Sequence, residues 1–281
     1  WRDRLIDAVD NMDQTVRTLP LRDFPVPPKT SPYFAEWLAH PSRDDFWRSC
    51  SIEERHGAVE VPALNVGGWY DIFLAGTLRN FTGVRAKGKT TAARDGARLL
   101  LGPWTHTTPP LAQSGDVDFG LNAGQGFSPL SLDVDAEHFR FFDLWLKGID
   151  DGLTGEPPVR LFVMGEGGWR SEATWPLERA VATDLFLHGD GNGVGSLSPE
   201  EPGDERPDVY LSDPHHPVPT VGGQLCCYPA KLPPGAFDQR EVGARPDVLL
   251  FLTEPLERDT ELTGPVHLHL WAATTAPDTD F

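Results

Sequence analysis

The sequence predicts an α/β unit followed by an all-β unit, from two patterns. Residues 59–104 contain a short β-branched run, a helical stretch and a second short apolar run, which together are typical of a βαβ unit with parallel strands. After Pro157 the chain contains only short apolar segments separated by turn residues, a pattern that favours an antiparallel sandwich or jelly roll. A change in charge supports the division, because residues 155–281 hold 21 of the 42 acidic side chains.

The first 58 residues predict helices joined by proline-rich connections. Apolar residues recur at steps of four, three and four from Leu5 to Val16, so one face of a helix there is apolar. A second helical stretch, PYFAEWLAHP, ends at Pro41. Residues 1–58 offer no partner for the apolar stripe, and we expect it to pack against another part of the protein.

The predicted βαβ unit ends each strand in a polar loop. The first strand, in VEVPALNVGGW, reaches a tight turn at Gly67-Gly68, residues 72–85 suit a helix, and ARLLLGPW is the second strand. Parallel sheets place their chemistry beyond the carboxyl ends of the strands. The two loops there are Trp69-Tyr70-Asp71 and Trp104-Thr105-His106.

A further helix, AEHFRFFDLWLKG, is expected between the possible N-cap Asp135 and the C-cap Gly148. The all-β strands are then predicted at five segments: PVRLFVMG, TDLFLHG, DVYLSD, DVLLFLTE and GPVHLHLWAATT. In the last of these, His267 and His269 share one face at a metal-ligand spacing. No third ligand is evident, so we interpret this face as solvent-facing.

Composition excludes several classes of function. With 24 basic and 42 acidic residues the formal net charge is −18, which repels nucleic-acid phosphates and anionic lipid. No apolar window approaches the 18 or more residues of a membrane span, so we expect neither nucleic-acid nor membrane partners. The first residues, WRDRLIDAVDNMDQ, lack the basic and apolar regions of a signal peptide, which favours a cytoplasmic protein. Because the chain starts with Trp1 inside a helical pattern, we also expect it to be part of a longer protein. The three cysteines, Cys50, Cys226 and Cys227, are interpreted as buried thiols.

Asp71 and His106, 35 residues apart at two strand ends, are the strongest candidates for chemistry. A carboxylate that bonds one imidazole nitrogen fixes the tautomer and leaves the other nitrogen to take a proton from a nucleophile. None of the eleven serines lies in a G-x-S-x-G turn, so the nucleophile is expected outside these 281 residues. The alternative is that both residues only cap loops. Trp69, Tyr70 and Trp104 flank the pair and could line a substrate pocket, or could simply pack in the core.

Six blocks in this order carry a family resemblance: VPALNVGGWYDIF, LLLGPWTH, FFDLWLKGID, PVRLFVMGEGGWR, YLSDPHHPVPTVGG and DVLLFLTEPLERDTELTGPV. They resemble the cocaine esterase and glutaryl-cephalosporin acylase branch of the X-Pro dipeptidyl-peptidase (CocE/NonD-type) serine hydrolases. The resemblance implies that residues 1–58 are the end of a helical cap and that 59–150 are the C-terminal third of an α/β-hydrolase core. Residues 151–281 would form a truncated jelly roll.

By the same resemblance, Asp71 and His106 are the acidic and basic members of a catalytic triad. The implied reaction is cleavage of a small-molecule ester or amide through an acyl-serine, with no metal or organic cofactor. Asp71 is followed by Ile72, Phe73 and Leu74 and not by further carboxylates, which favours a neutral or apolar acyl group. Two alternatives stay open: an X-Pro dipeptidyl aminopeptidase, and a non-catalytic jelly-roll binding protein. A homo-oligomer is possible through the jelly roll.

Overall fold

The computed structural model describes residues 2–25, 31–106, 111–124, 131–165, 167–189, 191, 193–277, 279 and 281. The helices in chain order are α1 Arg2–Asp10, α2 Met12–Thr15, α3 Pro32–Ala39, α4 Asp45–Cys50, α5 Leu74–Lys87, α6 Thr91–Gly96, α7 Val134–Phe142 and α8 Arg240–Gly243. Short 3-10 turns lie at Leu21–Asp23, Glu53–Ala58 and Leu153–Gly155, and a π-helical turn lies at Asp143–Lys147. The strands are β1 Leu64–Tyr70, β2 Arg98–Thr105, β3 Gln113–Ser114, β4 Val117–Asp118, β5 Val159–Val163, β6 Gly168–Glu172, β7 Phe186–His188, β8 Val194–Ser198 and β9 Leu250–Leu252.

A four-stranded sheet in the order β1-β2-β5-β6 is the centre of the structure. The pairs β1–β2 and β2–β5 are parallel, and β6 closes the sheet as an antiparallel partner of β5. The predicted βαβ unit is therefore present, with α5 as its crossover helix.

The central sheet is apolar on both faces because helices or loops cover each side. Leu99 and Leu101 of β2 pack with Phe81 of α5 in one buried cluster. On the opposite face, Leu100 and Trp104 pack with a second group that includes Leu132. A strand buried on both faces carries a continuous apolar run, which explains the unbroken sequence LLLGPW.

Strand β5 lies in the four-stranded central sheet, whereas its sequence predicted that it would belong to the all-β unit. Its partner on one side is β2, with the register Leu99 to Val159 and Leu101 to Leu161. The strand is buried along almost its whole length, as an interior strand of a parallel sheet must be. The predicted all-β unit therefore contributes a hydrogen-bonded strand to the α/β unit.

The C-terminal part contains a small sheet in the order β7-β8-β9. Two of the predicted strands, DVYLSD and GPVHLHLWAATT, are not strands in the structure. Val266 and Trp271 of the second segment are 91% and 101% exposed. Alternation predicts a strand only where another strand and a core are present to cover it, and the described residues supply neither to this segment.

Several local predictions are corrected by the structure. The N-cap of α7 is Asp133, whose Oδ1 accepts the backbone N–H of Ala136 at 3.0 Å, and not Asp135. Gly148 ends the following helical turn with φ 70°, as predicted for a C-cap. The predicted buried thiols are also wrong: Cys50 is exposed, and the neighbours Cys226 and Cys227 form a disulfide.

The N-terminal apolar stripe is not covered as the sequence suggested. The chain turns at Asn11, so two short helices replace the single predicted helix. Val9 and Val16 are 49% and 59% exposed. None of the helices in the described residues is long and apolar enough to cross a membrane.

A cluster of ion pairs connects β6 to the segment after Leu252. Both Arg170 terminal nitrogens donate to Glu261, at 2.8 and 2.6 Å, and Arg170 Nε lies 2.6 Å from Glu172. Arg179 donates to both oxygens of Glu172, which is 7% exposed. Hydrogen bonds first from Arg170 and then from Thr263 lower the pKa of Glu261 to about 2.

The lowered pKa gives Glu261 a defined effect on stability. Its carboxylate stabilises the fold above the ordinary pKa of 4.5, and this contribution is lost as the pH falls from there towards about 2. We expect Glu261→Gln to lower the free energy of unfolding at neutral pH by about 0.5–1 kcal/mol, a small amount because the side chain is 40% exposed. Denaturant titrations at several pH values should show this difference disappearing near pH 2. Glu257→Gln is the control, and an equal pH-dependent loss in that variant would contradict the assignment.

Two glycines test the packing between β1 and β2. A Cβ on Gly68 would lie 2.1 Å from the backbone oxygen of Trp104, whereas a Cβ on Gly76 of α5 would meet nothing within 4 Å. We expect Gly68→Ala to destabilise the protein by about 3 kcal/mol through overpacking against backbone. Gly76→Ala should stabilise it by about 0.5–1 kcal/mol, because alanine favours a helix interior. Urea unfolding midpoints measure both, and equal effects of the two changes would refute this packing argument.

Candidate active site

The candidate site lies at the carboxyl edge of β1 and β2. The last pair in their parallel register is Tyr70 with Thr105, so the next residue on each strand, Asp71 and His106, emerges at the same edge. Nδ1 of His106 lies 3.2 Å from Oδ2 of Asp71, within hydrogen-bonding distance. The structure therefore brings together the two residues that the sequence singled out.

A register shift between Gly68 and Tyr70 sets the local path of β1. At this shift the backbone of Gly68 comes so close to Trp104 that a side chain has no room. A Cβ on Gly102 would likewise lie 2.2 Å from the indole of Trp104. Glycine on both strands thus allows one large ring to pack at the end of the sheet.

Asp71 has two roles in the local structure. Its Oδ1 accepts the backbone N–H of Phe73 at 2.7 Å, an Asx-type turn that leads into α5. Its Oδ2 faces His106, and the side chain is 16% exposed. The loop-capping alternative is therefore real, but it uses only one of the two oxygens and does not compete with the imidazole.

His106 is the more accessible member of the pair, with its side chain 44% exposed. The ring of Phe73 meets it edge to face, with the centroids 4.9 Å apart. When Nδ1–H donates to the carboxylate, Nε2 is left as an acceptor. No hydrogen bond to Nε2 is made within the described ranges, so this nitrogen can take a proton from a group that approaches the edge.

The two flanking tryptophans pack in the core. Trp69 donates its indole N–H to the carbonyl of Phe162 at 2.8 Å and packs against Trp175. Trp104 is 3% exposed and donates to the carbonyl of Ala123 at 2.6 Å. Because both indole donors are satisfied by backbone, these placements favour the packing interpretation over a pocket wall.

Tyr70 is half-buried, as Trp69 is, whereas Trp104 is buried. The ring centroid of Tyr70 lies 6.2 Å from that of Phe119, and burial raises the pKa of the Tyr70 hydroxyl. It therefore stays neutral at ordinary pH.

The structure contains a second hydrogen-bonded series of carboxylate, imidazole and hydroxyl, which was not predicted from the sequence. His188 Nδ1 lies 2.7 Å from Glu205 Oε1, and its Nε2 lies 3.0 Å from Ser198 Oγ. The antiparallel pairing of β7 with β8 places His188 and Ser198 close together. The sequence predicted β7 but not β8, and it gave no sign of the loop that brings Glu205 to them.

This second cluster is less suited to activating a serine. Nε2 of His188 also lies 3.0 Å from the carbonyl of Glu200, an acceptor that favours a proton on this nitrogen. The bond to the Glu205 carboxylate, together with that to the Glu200 carbonyl, raises the pKa of His188. Ser198 Oγ in turn accepts the backbone N–H of Glu200 at 3.2 Å. An Nε2 that donates to the Glu200 carbonyl holds this loop together and cannot take the proton of Ser198.

The residues described here contain no group of three or more His, Cys, Asp or Glu side chains that could hold a metal ion. His267 and His269 both lie in the exposed C-terminal segment. Asp116 and Asp118 are exposed on the β3–β4 turn, where Asp118 accepts the N–H of Gly120.

Two family models match the chain. Residues 3–108 match the X-Pro dipeptidyl-peptidase (S15 family) model, and residues 151–281 match the C-terminal non-catalytic domain of X-Pro dipeptidyl-peptidases. The first match contains both Asp71 and His106.

Curated relatives are esterases. The chain is 38% identical to cocaine esterase of Rhodococcus sp. over 93% of its own length and 44% of that protein. It is 29% identical to a predicted serine esterase of Mycobacterium bovis, over 85% of the chain and 34% of the relative. The chain thus spans less than half the length of the curated relatives it matches.

A solved structure is also similar to the chain. An aminopeptidase of a marine sediment archaeon, Thaumarchaeota archaeon, has a TM-score of 0.59 and 26% identity, covering 82% of this chain and 37% of that one. Together with the two family models and the identity to cocaine esterase, this similarity leads to one conclusion: the chain belongs to the X-Pro dipeptidyl-peptidase family of hydrolases, on the side of the family that includes cocaine esterase.

Proposed function

We propose that this chain supplies the acid and base of a serine esterase, and that the nucleophilic serine lies outside its 281 residues. The hydrogen bond between Asp71 and His106 at the carboxyl edge of the parallel strands carries the proposal. The esterase relatives support it, since they match the segment that holds both residues.

In the proposed reaction, Nε2 of His106 takes the proton of the serine hydroxyl as its oxygen attacks the ester carbonyl. Asp71 holds the imidazole in the required tautomer and stabilises the imidazolium. His106 then returns the proton to the departing alcohol, leaving an acyl-serine. Water then attacks the acyl-serine while His106 takes its proton, and His106 passes that proton to the serine oxygen as the acid is released. Donors outside this chain hold the oxyanion in both stages.

The surroundings of the pair favour an uncharged acyl or leaving group. Phe73, which packs against the imidazole, is 58% exposed, and the preceding Ile72 is 44% exposed. Neither side chain can neutralise a charged substrate. No carboxylate other than Asp71 occupies positions 71–74 to bind a substrate ammonium. We therefore propose small neutral esters as the substrate class, with amides as a second class of the same chemistry.

The proposed architecture follows the family. Residues 1–58 would complete a helical cap, 59–150 would be the last third of an α/β-hydrolase core, and 151–281 would form a jelly roll that starts with the shared strand β5. The sheet order β1-β2-β5-β6 supports the α/β core. The small sheet of β7, β8 and β9 falls within the segment of the proposed jelly roll.

A dipeptidyl aminopeptidase is the second candidate, because the similar archaeal structure is an aminopeptidase and the matched family is named for X-Pro dipeptides. Both candidates use the same pair of residues. A comparison of p-nitrophenyl esters with X-Pro p-nitroanilides, using the chain together with its upstream coding sequence, separates them. Faster turnover of the anilides would favour the peptidase.

Labelling by a fluorophosphonate probe tests the location of the nucleophile. We expect no labelling of the 281-residue chain, because His106 has no serine partner among the described residues. A chain extended upstream should be labelled. Ser198→Ala is the informative control. If the 281-residue chain is labelled and this change abolishes the labelling, the second cluster is the nucleophilic one and our assignment is wrong.

Removing the proposed base should be severe. We expect His106→Ala in the extended protein to lower kcat for an aryl ester by roughly 10³–10⁴-fold or more, as loss of a triad member does. His188→Gln should leave kcat within about twofold, since that imidazole belongs to a separate cluster. Steady-state kinetics of both variants decide the matter, and a loss below about tenfold for His106→Ala would exclude it from the mechanism.

A further inference from the structure

A disulfide between neighbouring residues lies in a loop that reaches the candidate site. We call residues 222–236 the strap. Its two ends are joined by an antiparallel bridge in which Gly223 and Gly235 exchange backbone hydrogen bonds of 2.6 and 3.0 Å. Within it, Cys226 and Cys227 form the disulfide, with Cys226 half-buried and Cys227 exposed.

The strap bridges separate parts of the protein. At one end Ala236 donates to the carbonyl of Ser114 at 3.2 Å and accepts from Asp116 at 2.8 Å. On its other side, Lys231 pairs with Asp13 in α2 at 2.6 Å. These contacts hold the strap across the segment that follows β2.

One strap side chain contacts the backbone that leads to Asp71. Nε2 of Gln224 donates to the carbonyl of Trp69 at 3.2 Å, a contact across 155 residues of sequence. Trp69 lies in the register shift of β1, where its backbone is outside the regular ladder. The strap therefore helps to hold the bulge two residues before the carboxylate that faces His106.

The disulfide does not have the character of a stabilising cross-link. It encloses no intervening residues, so it removes almost no loop-closure entropy from the unfolded chain. Cys227 also has φ 71°, the one positive φ of a non-glycine residue among those described. A disulfide that is exposed and includes a residue in this unfavourable backbone conformation is of the labile kind.

We propose that the Cys226–Cys227 disulfide is a reversible redox site that controls the hold of the strap on the end of β1. A thiolate of an external dithiol attacks the exposed Cys227 sulfur, the S–S bond breaks, and Cys226 leaves as a thiolate that takes up a proton. The second thiol of the reagent then displaces Cys227 and closes the reagent's own disulfide. In total two electrons and two protons pass from the dithiol to the protein.

Reduction removes the constraint that keeps Cys227 in the left-handed conformation. The backbone around Cys226 and Cys227 relaxes, and Gln224 loses its hydrogen bond to the Trp69 carbonyl. The end of β1 then opens more often. Oxidation by a disulfide reagent restores the bond and the contact.

Thiol counting and amide hydrogen exchange on the 281-residue chain test this proposal without any assay of hydrolysis. In the absence of reductant we expect one thiol, that of Cys50, to react with 5,5′-dithiobis(2-nitrobenzoate). After treatment with dithiothreitol and removal of the reagent we expect all three cysteines to react. Exchange over residues 69–74 should become about fivefold faster on reduction, the factor expected for losing one neutral hydrogen bond.

Three variants separate the steps. Cys227→Gly keeps the left-handed backbone without the disulfide, and its exchange over residues 69–74 should not respond to dithiothreitol. Gln224→Ala should still gain two thiols on reduction but lose the response at 69–74, whereas Cys50→Ser should keep it. Three reactive thiols before reduction, or an exchange rate at 69–74 that does not change on reduction of the wild-type chain, would overturn the proposal.

Discussion

The close parallel contact between β1 and β2 is the constraint on which the site depends. The two strands end in register, so the residue after each one emerges at the same edge and Asp71 meets His106. That register is possible because Gly68 carries no side chain where the backbone of Trp104 passes. Trp104 in turn fills the end of the sheet and bonds the carbonyl of Ala123. The chemistry at the edge is thus a consequence of packing just below it.

The sequence predicts those parts of the protein whose patterns are local. The β1-α5-β2 unit is recognisable because strand, helix and strand follow one another within about 45 residues, each with its own periodicity. Asp71 and His106 are recognisable for the same reason, since strand ends position them. The Gly148 C-cap needs only a single residue type at the end of a helix.

Features that depend on distant partners are not predictable in this way. The strand β5 has the same apolar run whether it pairs with β2 or with a sandwich strand, and only the fold decides. His188 and Glu205 meet through a loop, and Gln224 reaches Trp69 across most of the chain. The disulfide between Cys226 and Cys227 is missed because spacing rules for cysteines assume a loop between them. Val266 and Trp271 have a strand pattern, but a pattern cannot create a neighbour for them.

The position of β5 has a consequence for how this family can be divided and recombined. The C-terminal family match begins at residue 151, yet its first strand is hydrogen-bonded between β2 and β6 inside the sheet of the preceding segment. A cut at that boundary would leave β2 with an open edge and remove the hairpin that seals it. When relatives exchange C-terminal modules, the side chains of the new β5 must therefore pack against those of β2. The two matched segments must thus evolve as one folding unit, although separate family models match them.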